Sequence, residues 1–205
     1  MPKGHGVLCK KMITKIGQIL LPTKLGNLSM AVFENSQTGK FASALIVGEV
    51  KSKEEVSVRI HSSCLTGDVF GSLLCDCGPQ LQIAMKRILK KGTGIIIYLD
   101  QEGRGIGLGN KILAMELQQE GLDTVDANLA LGLPVDARNF DEAAHIIKTL
   151  EVKSICLMTN NPFKTNALES AGIKVSRSSC VPVTSSITKK YLKTKRERMG
   201  HLLPI

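Results

Sequence analysis

The sequence predicts an α/β fold: a layered α/β/α mixed sheet with a β-rich N-terminal third. In the first sixty positions apolar residues come in short runs and alternations, which is strand patterning. Beyond Gly78 they recur at spacings of three and four, interrupted by short apolar runs, which is the signature of helices alternating with buried strands. A chain of 205 residues with 43% hydrophobic and 22% charged positions fits one domain over 1–205 and excludes wholesale disorder.

Taken in order, residues 1–12 read as a flexible N-terminus. Asn27–Asn35, Phe41–Val50 and Glu55–His61 read as strands, separated by Gly, Ser, Lys and Asn. Leu81, Ala84, Met85, Ile88 and Leu89 form a helical stripe that Gly92 and Gly94 stop, and Ile95–Leu99 reads as a buried strand. Leu108, Ile112, Met115 and Gln119 predict a helix to about Glu120. Helix Asp141–Leu150, strand Ser154–Met158, helix Pro162–Ser170 and strand Ile173–Val175 follow, with Pro162 suited to a first helical turn. The end, 188–205, reads as a basic tail helix carrying Lys189, Lys190, Lys193, Lys195, Arg196 and Arg198.

Lysine and arginine total 27 against 18 acids, a net charge of +9, which points to a polyanionic partner. Aromatic residues are scarce: five Phe, two Tyr and no Trp. Single-stranded nucleic acid needs aromatic platforms for its bases, so the charge fits phosphates better. No signal-peptide pattern or membrane-length apolar run is visible, which predicts a cytoplasmic protein without a membrane partner. Part of the excess charge, in Lys86–Lys91 and Lys189–Arg198, reads as solvated helix face.

Three of six cysteines crowd into one segment, Cys64 and then Cys75-Asp-Cys77, which in such a chain points to metal or redox chemistry rather than disulfides. Cys-x-Cys spacing lets two thiolates face one ion across a short turn. Three thiolates fill three corners of a tetrahedral zinc and leave the fourth open, the pattern of catalytic sites; water bound there ionises near neutral pH. A closed structural site with His61 or another residue as fourth ligand stays open beside it. Cys9, Cys156 and Cys180 read as unremarkable.

Gly103, Gly105, Gly107 and Gly109 alternate in QEGRGIGLGNK, between a strand and a helix. Such a turn lets backbone N–H groups approach a phosphate at a helix N-terminus, although the spacing matches neither a dinucleotide fingerprint nor a Walker loop. Glu102 and Arg104 within the turn, and Lys111 at its end, strengthen the reading, since arginine can grip a phosphate in bidentate fashion.

RIHSSCLTGDVFGSLLCDCGPQ (Arg59–Gln80), YLDQEGRGIGLGNK (Tyr98–Lys111), GLDTVDAN (Gly121–Asn128), GLPVDAR (Gly132–Arg138), MTNNPFK (Met158–Lys164) and MGHLL (Met199–Leu203) together resemble GTP cyclohydrolase II. This zinc enzyme opens the guanine ring at the start of riboflavin synthesis. The likeness runs from about Ile13 to the end. The companion domain that makes dihydroxybutanone phosphate is not expected in so short a chain.

The resemblance implies that Cys64, Cys75 and Cys77 hold one Zn2+, that GTP arrives with Mg2+, and that the protein is a homodimer. It places Arg59, Ile60, His61, Ser62, Ser63, Gln80, Glu102, Gly103, Arg104, Thr124, Thr159 and Lys164 where the family binds GTP. Asp136 falls on the family's proposed proton acceptor and Arg138 on its proposed nucleophile toward the α-phosphate. Glu102, with Gln80 beside it, is the natural acceptor for the guanine N–H groups. A guanidinium is always protonated and a poor nucleophile, so Arg138 can equally serve as a charge stabiliser while water attacks.

One position departs from the pattern. Where familiar bacterial members carry a catalytic tyrosine, this chain has Met115, in LAMELQQ. A thioether neither donates a proton nor bonds water strongly. Formate release is therefore open. One outcome is ring opening with the formyl group kept, a shortened reaction that the resemblance associates with methionine-bearing homologues. The alternative is the standard reaction to 2,5-diamino-6-ribosylamino-4(3H)-pyrimidinone 5′-phosphate and formate, with Tyr98, the group nearest in sequence to the glycine loop, substituting. Two other readings compete: a zinc-bearing, basic nucleic-acid-binding protein, and an inactive homologue that senses GTP.

Overall fold

A computed structural model describes residues 13–181 together with 193, 196–198, 200 and 202. The N-terminal strand patterning becomes an antiparallel meander of β1 (Ile13–Thr23), β2 (Gly26–Asn35) and β3 (Phe41–Val47). β1 has no alternation to read because most of it is exposed. β3 stops at Val47, short of Val50, because Gly48 takes φ +64°, and a Cβ there would lie 2.3 Å from the Gly92 carbonyl oxygen. Only glycine fits such an approach.

The remainder alternates: β4 (Val56–Ser62), α1 (Cys77–Lys91), β5 (Gly94–Leu99), α2 (Leu108–Gln119), α3 (Thr124–Ala130), α4 (Asp141–Thr149), β6 (Ser154–Met158), α5 (Pro162–Ser170) and β7 (Lys174–Ser178). All seven strands form one mixed sheet in the order β1-β2-β3-β5-β4-β6-β7. β5 is antiparallel to β3 and parallel to β4, and the β4–β6 and β6–β7 pairs are parallel.

Two cores follow from strand alternation. On one face Val56, Val58, Ile60, Ile95, Ile97, Leu99, Ile155 and Leu157 pack with Phe140 and with Ala143, Ala144, Ile146, Ile147 and Leu168 of α4 and α5. On the other, Ile96 and Met158 pack with Ala84 and Ile88 of α1 and with Cys180. β5 is buried on both sides, as a central strand requires. The even positions of β4 enter the first core, so Arg59 and His61 point to the α1 side.

Three local readings shift. β7 extends beyond Val175 because Ser178 pairs with Met158. α3 was not anticipated: seven residues are too few for a periodic signal. Its cap is Asp123, whose carboxylate accepts from Val125 N at 2.8 Å and Asp126 N at 3.0 Å, so Thr124 is the first helical residue. Most of the basic tail helix lies outside the described residues; Lys193 and 196–198 are helical, and Arg198 forks onto Asp126 at 2.9 Å. Among the described residues no helix is long and apolar enough to cross a membrane.

Candidate active site

From β4 the chain passes to β5 on one side and then crosses back to β6 on the other, so strand order reverses at β4. Open α/β sheets bind ligands at the carboxyl ends of the strands beside such a reversal. A cavity of about 300 Å3 opens there. Its wall carries the Cys64–Cys77 loop, the glycine turn, the cavity-facing side of α2, the start of α3 and the turn between β6 and α5.

Cys64 follows β4, a short helical turn Leu65–Val69 carries the chain around, and Cys77 is the first residue of α1. The three Sγ atoms lie within 4.8 Å of one another, and Cys64 and Cys75 are 3.7 Å apart. Three thiolates at ~2.3 Å from one tetrahedral ion sit roughly 3.8 Å apart, so the triad fits zinc. The thiols are free rather than bridged. Hydrogen bonds from Cys75 and Cys77 hold the Cys64 thiol below its ordinary range. Gly67 and Gly78 make this packing possible: a Cβ on Gly67 would lie 2.8 Å from Cys75 Sγ, and one on Gly78 would lie 2.3 Å from the Gly67 carbonyl oxygen.

His61 does not join the cysteines. Its Nε2 lies 3.0 Å from both Asp68 carboxylate oxygens, and its ring stacks on Tyr98 at 5.5 Å. Asp68 also accepts from the Tyr98 hydroxyl at 2.9 Å and from Cys64 N at 3.1 Å. Burial, opposed by Asp68, pushes the His61 pKa down, so the ring is neutral at pH 7. Among the described residues no fourth Cys, His, Asp or Glu joins the group, which would leave a coordination position open on an ion held there.

Three cations on the wall are held by neighbouring acceptors. Arg59 is 5% exposed; it donates from Nη1 to the Met158 carbonyl at 2.9 Å and from Nη2 to Gln80 Oε1. Lys164, also 5% exposed, donates to the Ile60 carbonyl at 2.8 Å and lies 5.3 Å from the Phe140 ring centroid. Arg138 donates from Nε to Asp136 Oδ1 at 2.8 Å and from Nη2 to Oδ2. Burial raises the Asp136 carboxyl, but those bonds and the Arg138 charge outweigh it and hold its pKa below 3.8.

The glycine turn sits opposite. Gly103, Arg104 and Gly105 take φ of +61°, +60° and +90°, the left-handed region. Arg104 holds a conformation that costs an ordinary residue ~1–2 kcal/mol. Its carbonyl accepts from Ala137 N at 3.0 Å, pinning the Asp136–Arg138 loop to the turn. A Cβ on Gly105 would meet the Ala137 backbone at 3.0 Å, so this glycine sets the approach.

Sequence comparison fits this arrangement. The profile of the GTP cyclohydrolase II family matches residues 14–180. The chain belongs to the GTP cyclohydrolase II family. It is 53% identical over 186 residues to the GTP cyclohydrolase-2 of Acinetobacter baylyi, covering 89% of this chain and 92% of that protein. It is 49% identical over 194 residues to that of Picrophilus torridus, covering 93% and 100%. The riboflavin biosynthesis protein RibBA of Endomicrobium trichonymphae is 48% identical over 197 residues, 95% of this chain but 48% of that protein. The chain thus spans about half the length of the RibBA proteins.

In this family member the cavity gathers nearly every residue singled out from sequence. Arg59, His61, Ser62, Ser63, Cys64, Cys75, Cys77, Gln80, Glu102, Gly103, Arg104, Met115, Thr124, Arg138, Thr159 and Lys164 all line it. Two do not: Ile60 is a core residue that offers only its carbonyl, and Asp136 stands behind Arg138. Tyr98, the suggested substitute for the tyrosine missing at Met115, is bonded to Asp68 and does not line the cavity.

Glu102 has partners that its position in the motif did not indicate: its carboxylate accepts from Leu65 N at 2.6 Å, Gly103 N at 2.8 Å and Lys111 Nζ at 2.8 Å. Thr124 donates to Gln118 Oε1 at 3.3 Å, and Thr159 accepts from Asn161 N at 3.1 Å. Asp68, Thr66 and the sulfur contact of Lys111 were missed. Only Lys111 had a signal, as the cation closing the glycine motif.

Proposed function

We propose that this protein is a zinc-dependent GTP cyclohydrolase II that opens the imidazole ring of GTP at C8, releases diphosphate and keeps the formyl group. The product is then a formamidopyrimidine ribosyl 5′-phosphate. One observation carries the reading: three cysteines in tetrahedral-site spacing share a cavity with Arg59, Arg104, Arg138 and Lys164. A nucleoside triphosphate presents both the electron-poor carbon and the anionic oxygens that such a cavity suits.

Cys64, Cys75 and Cys77 hold the zinc, which when bound supplies Lewis acidity for activating water and polarising a carbonyl. GTP enters with Mg2+ on its phosphates. Gln80, fixed by Arg59 and by Asp76, presents its amide to the guanine edge. Arg104 and Lys164 meet the phosphate oxygens. Arg138 stabilises charge at the α-phosphate while water attacks; Asp136, which accepts from both Nε and Nη2, orients the guanidinium. Met115 puts a thioether on the cavity wall, and that group can deliver no proton to the formamide.

Incubation of the zinc-loaded protein with Mg-GTP, with products identified by mass, tests the proposal. Diphosphate and the formamidopyrimidine are expected, without free formate, and a denaturing quench during turnover should recover no guanylyl-protein. Formate equal to GTP consumed, with 2,5-diamino-6-ribosylamino-4(3H)-pyrimidinone 5′-phosphate as product, would overturn the shortened reaction. An absence of turnover would overturn the enzyme reading. Met115→Tyr is expected to release formate.

The same reading carries one domain over 1–205, working in the cytoplasm as a homodimer. β1 supports the last: it is an edge strand that exposes Ile16, Ile19 and Leu20 at 58%, 59% and 67%. Riboflavin biosynthesis is the default destination of the product, with a separate amide hydrolysis removing the formyl group.

A further inference from the structure

We propose that Lys111 is a positioning residue for the metal, a fixed cation that offsets the negative charge of the three-thiolate site through a hydrogen bond to Cys64. The inference rests on the zinc reading above. Lys111 lies in the first turn of α2, and its side chain is 15% exposed. Nζ is 3.2 Å from Cys64 Sγ, 2.9 Å from Thr66 Oγ1 and 2.8 Å from Glu102 Oε1. An ammonium group has three protons, so there is one acceptor for each.

The surroundings serve this reach. A Cβ on Gly103 would lie 3.0 Å from Lys111 Cβ, so the glycine lets the lysine pass close to the turn. Glu102 is itself anchored by the backbone N–H groups of Leu65 and Gly103 and holds the ammonium in place. A plain Lys–Glu ion pair needs neither the sulfur contact nor the Thr66 hydroxyl.

The chemistry gives the contact a purpose. A dication with three thiolates carries a net charge of −1, and strong thiolate donation blunts its Lewis acidity. A cation bonded to one sulfur withdraws part of that donation and offsets the net −1 of the loaded site. The chain can therefore grip the ion with sulfur and still leave it electrophilic.

Co2+ alone, added to metal-stripped wild type, Lys111→Gln and Lys111→Arg, provides the test. The thiolate-to-cobalt charge-transfer band and competition with a chelator are the readouts. In Lys111→Gln the band is expected to move to lower energy and the affinity to fall by about tenfold. Lys111→Arg is expected to stay near wild type. Glu102→Gln, which loosens the lysine without removing it, should shift both readouts less and in the same direction, and it carries the test if Lys111→Gln does not fold. Unchanged band and affinity in Lys111→Gln would overturn the inference and leave the metal site standing. Equal shifts in the Gln and Arg variants would overturn it too, because charge would not be the cause. A wild type that takes up no cobalt would overturn both readings.

Discussion

Arg138 offers two nitrogens to one carboxylate, and this pair makes stability depend on pH in a defined direction. Asp136 has a folded pKa below its unfolded value, so its contribution is present above the unfolded value, about 3.9, and disappears as the pH falls through the folded one. Asp136→Asn should therefore lower stability by about 1.5–3 kcal/mol at pH 7, the scale of a hydrogen bond to a charged group. The deficit should shrink below pH 3.8 as the wild type protonates. Denaturant unfolding at pH 7 and in acid measures both, and a gap that persists in acid would refute the pairing argument. At this scale spacing alone located Cys64, Cys75 and Cys77, because thiol chemistry leaves few alternatives to Cys-x-Cys beside a third cysteine. Glu102 lines the cavity, but its partners were not legible, because nothing in a linear motif says which backbone N–H groups will face a carboxylate.

The loop from Cys64 to α1 is an element whose shape depends on the absence of side chains. Gly67→Ala would put a methyl group 2.8 Å from Cys75 Sγ, 3.1 Å from Cys77 Cβ and 3.2 Å from Cys64 Sγ. The thiols must then splay, so metal affinity should fall by about tenfold or more while far-UV circular dichroism stays unchanged. Chelator competition measures this, and undiminished affinity would show that the loop relaxes without cost. Neither Gly67 nor Gly78 stood out in the sequence, where the glycines of the 103–109 turn drew the eye by their alternation. α2 shows the complementary limit. Its periodicity predicted the helix, yet Leu108, Ile112 and Leu113 are 40–48% exposed, because a stripe does not say what will cover it.

Across the whole molecule, the sheet joins an antiparallel half that ends in an exposed edge to a parallel half that carries the chemistry. The edge leads to an association prediction: the protein should sediment as a dimer, and Ile19→Lys combined with Leu20→Lys should shift it toward monomer without loss of secondary structure. A wild-type monomer at micromolar concentration would refute the dimer. The parallel half was legible because β5 and β6 are short, continuous apolar runs between helices, whereas exposed β1 offered no contrast between its faces. The net charge of +9 pointed to a phosphate ligand, and the structure shows how few cations line the cavity. Three of them are already tied to acceptors: Arg59 on the Met158 carbonyl, Lys164 on that of Ile60, Arg138 on Asp136. Fixing a free Lys or Arg side chain forfeits about 1.5–2 kcal/mol of rotamer entropy. For those three that loss was incurred when the chain folded, so under the proposed function a phosphate would meet cations with little disorder left to surrender, and recognition would become a matter of shape more than of attraction.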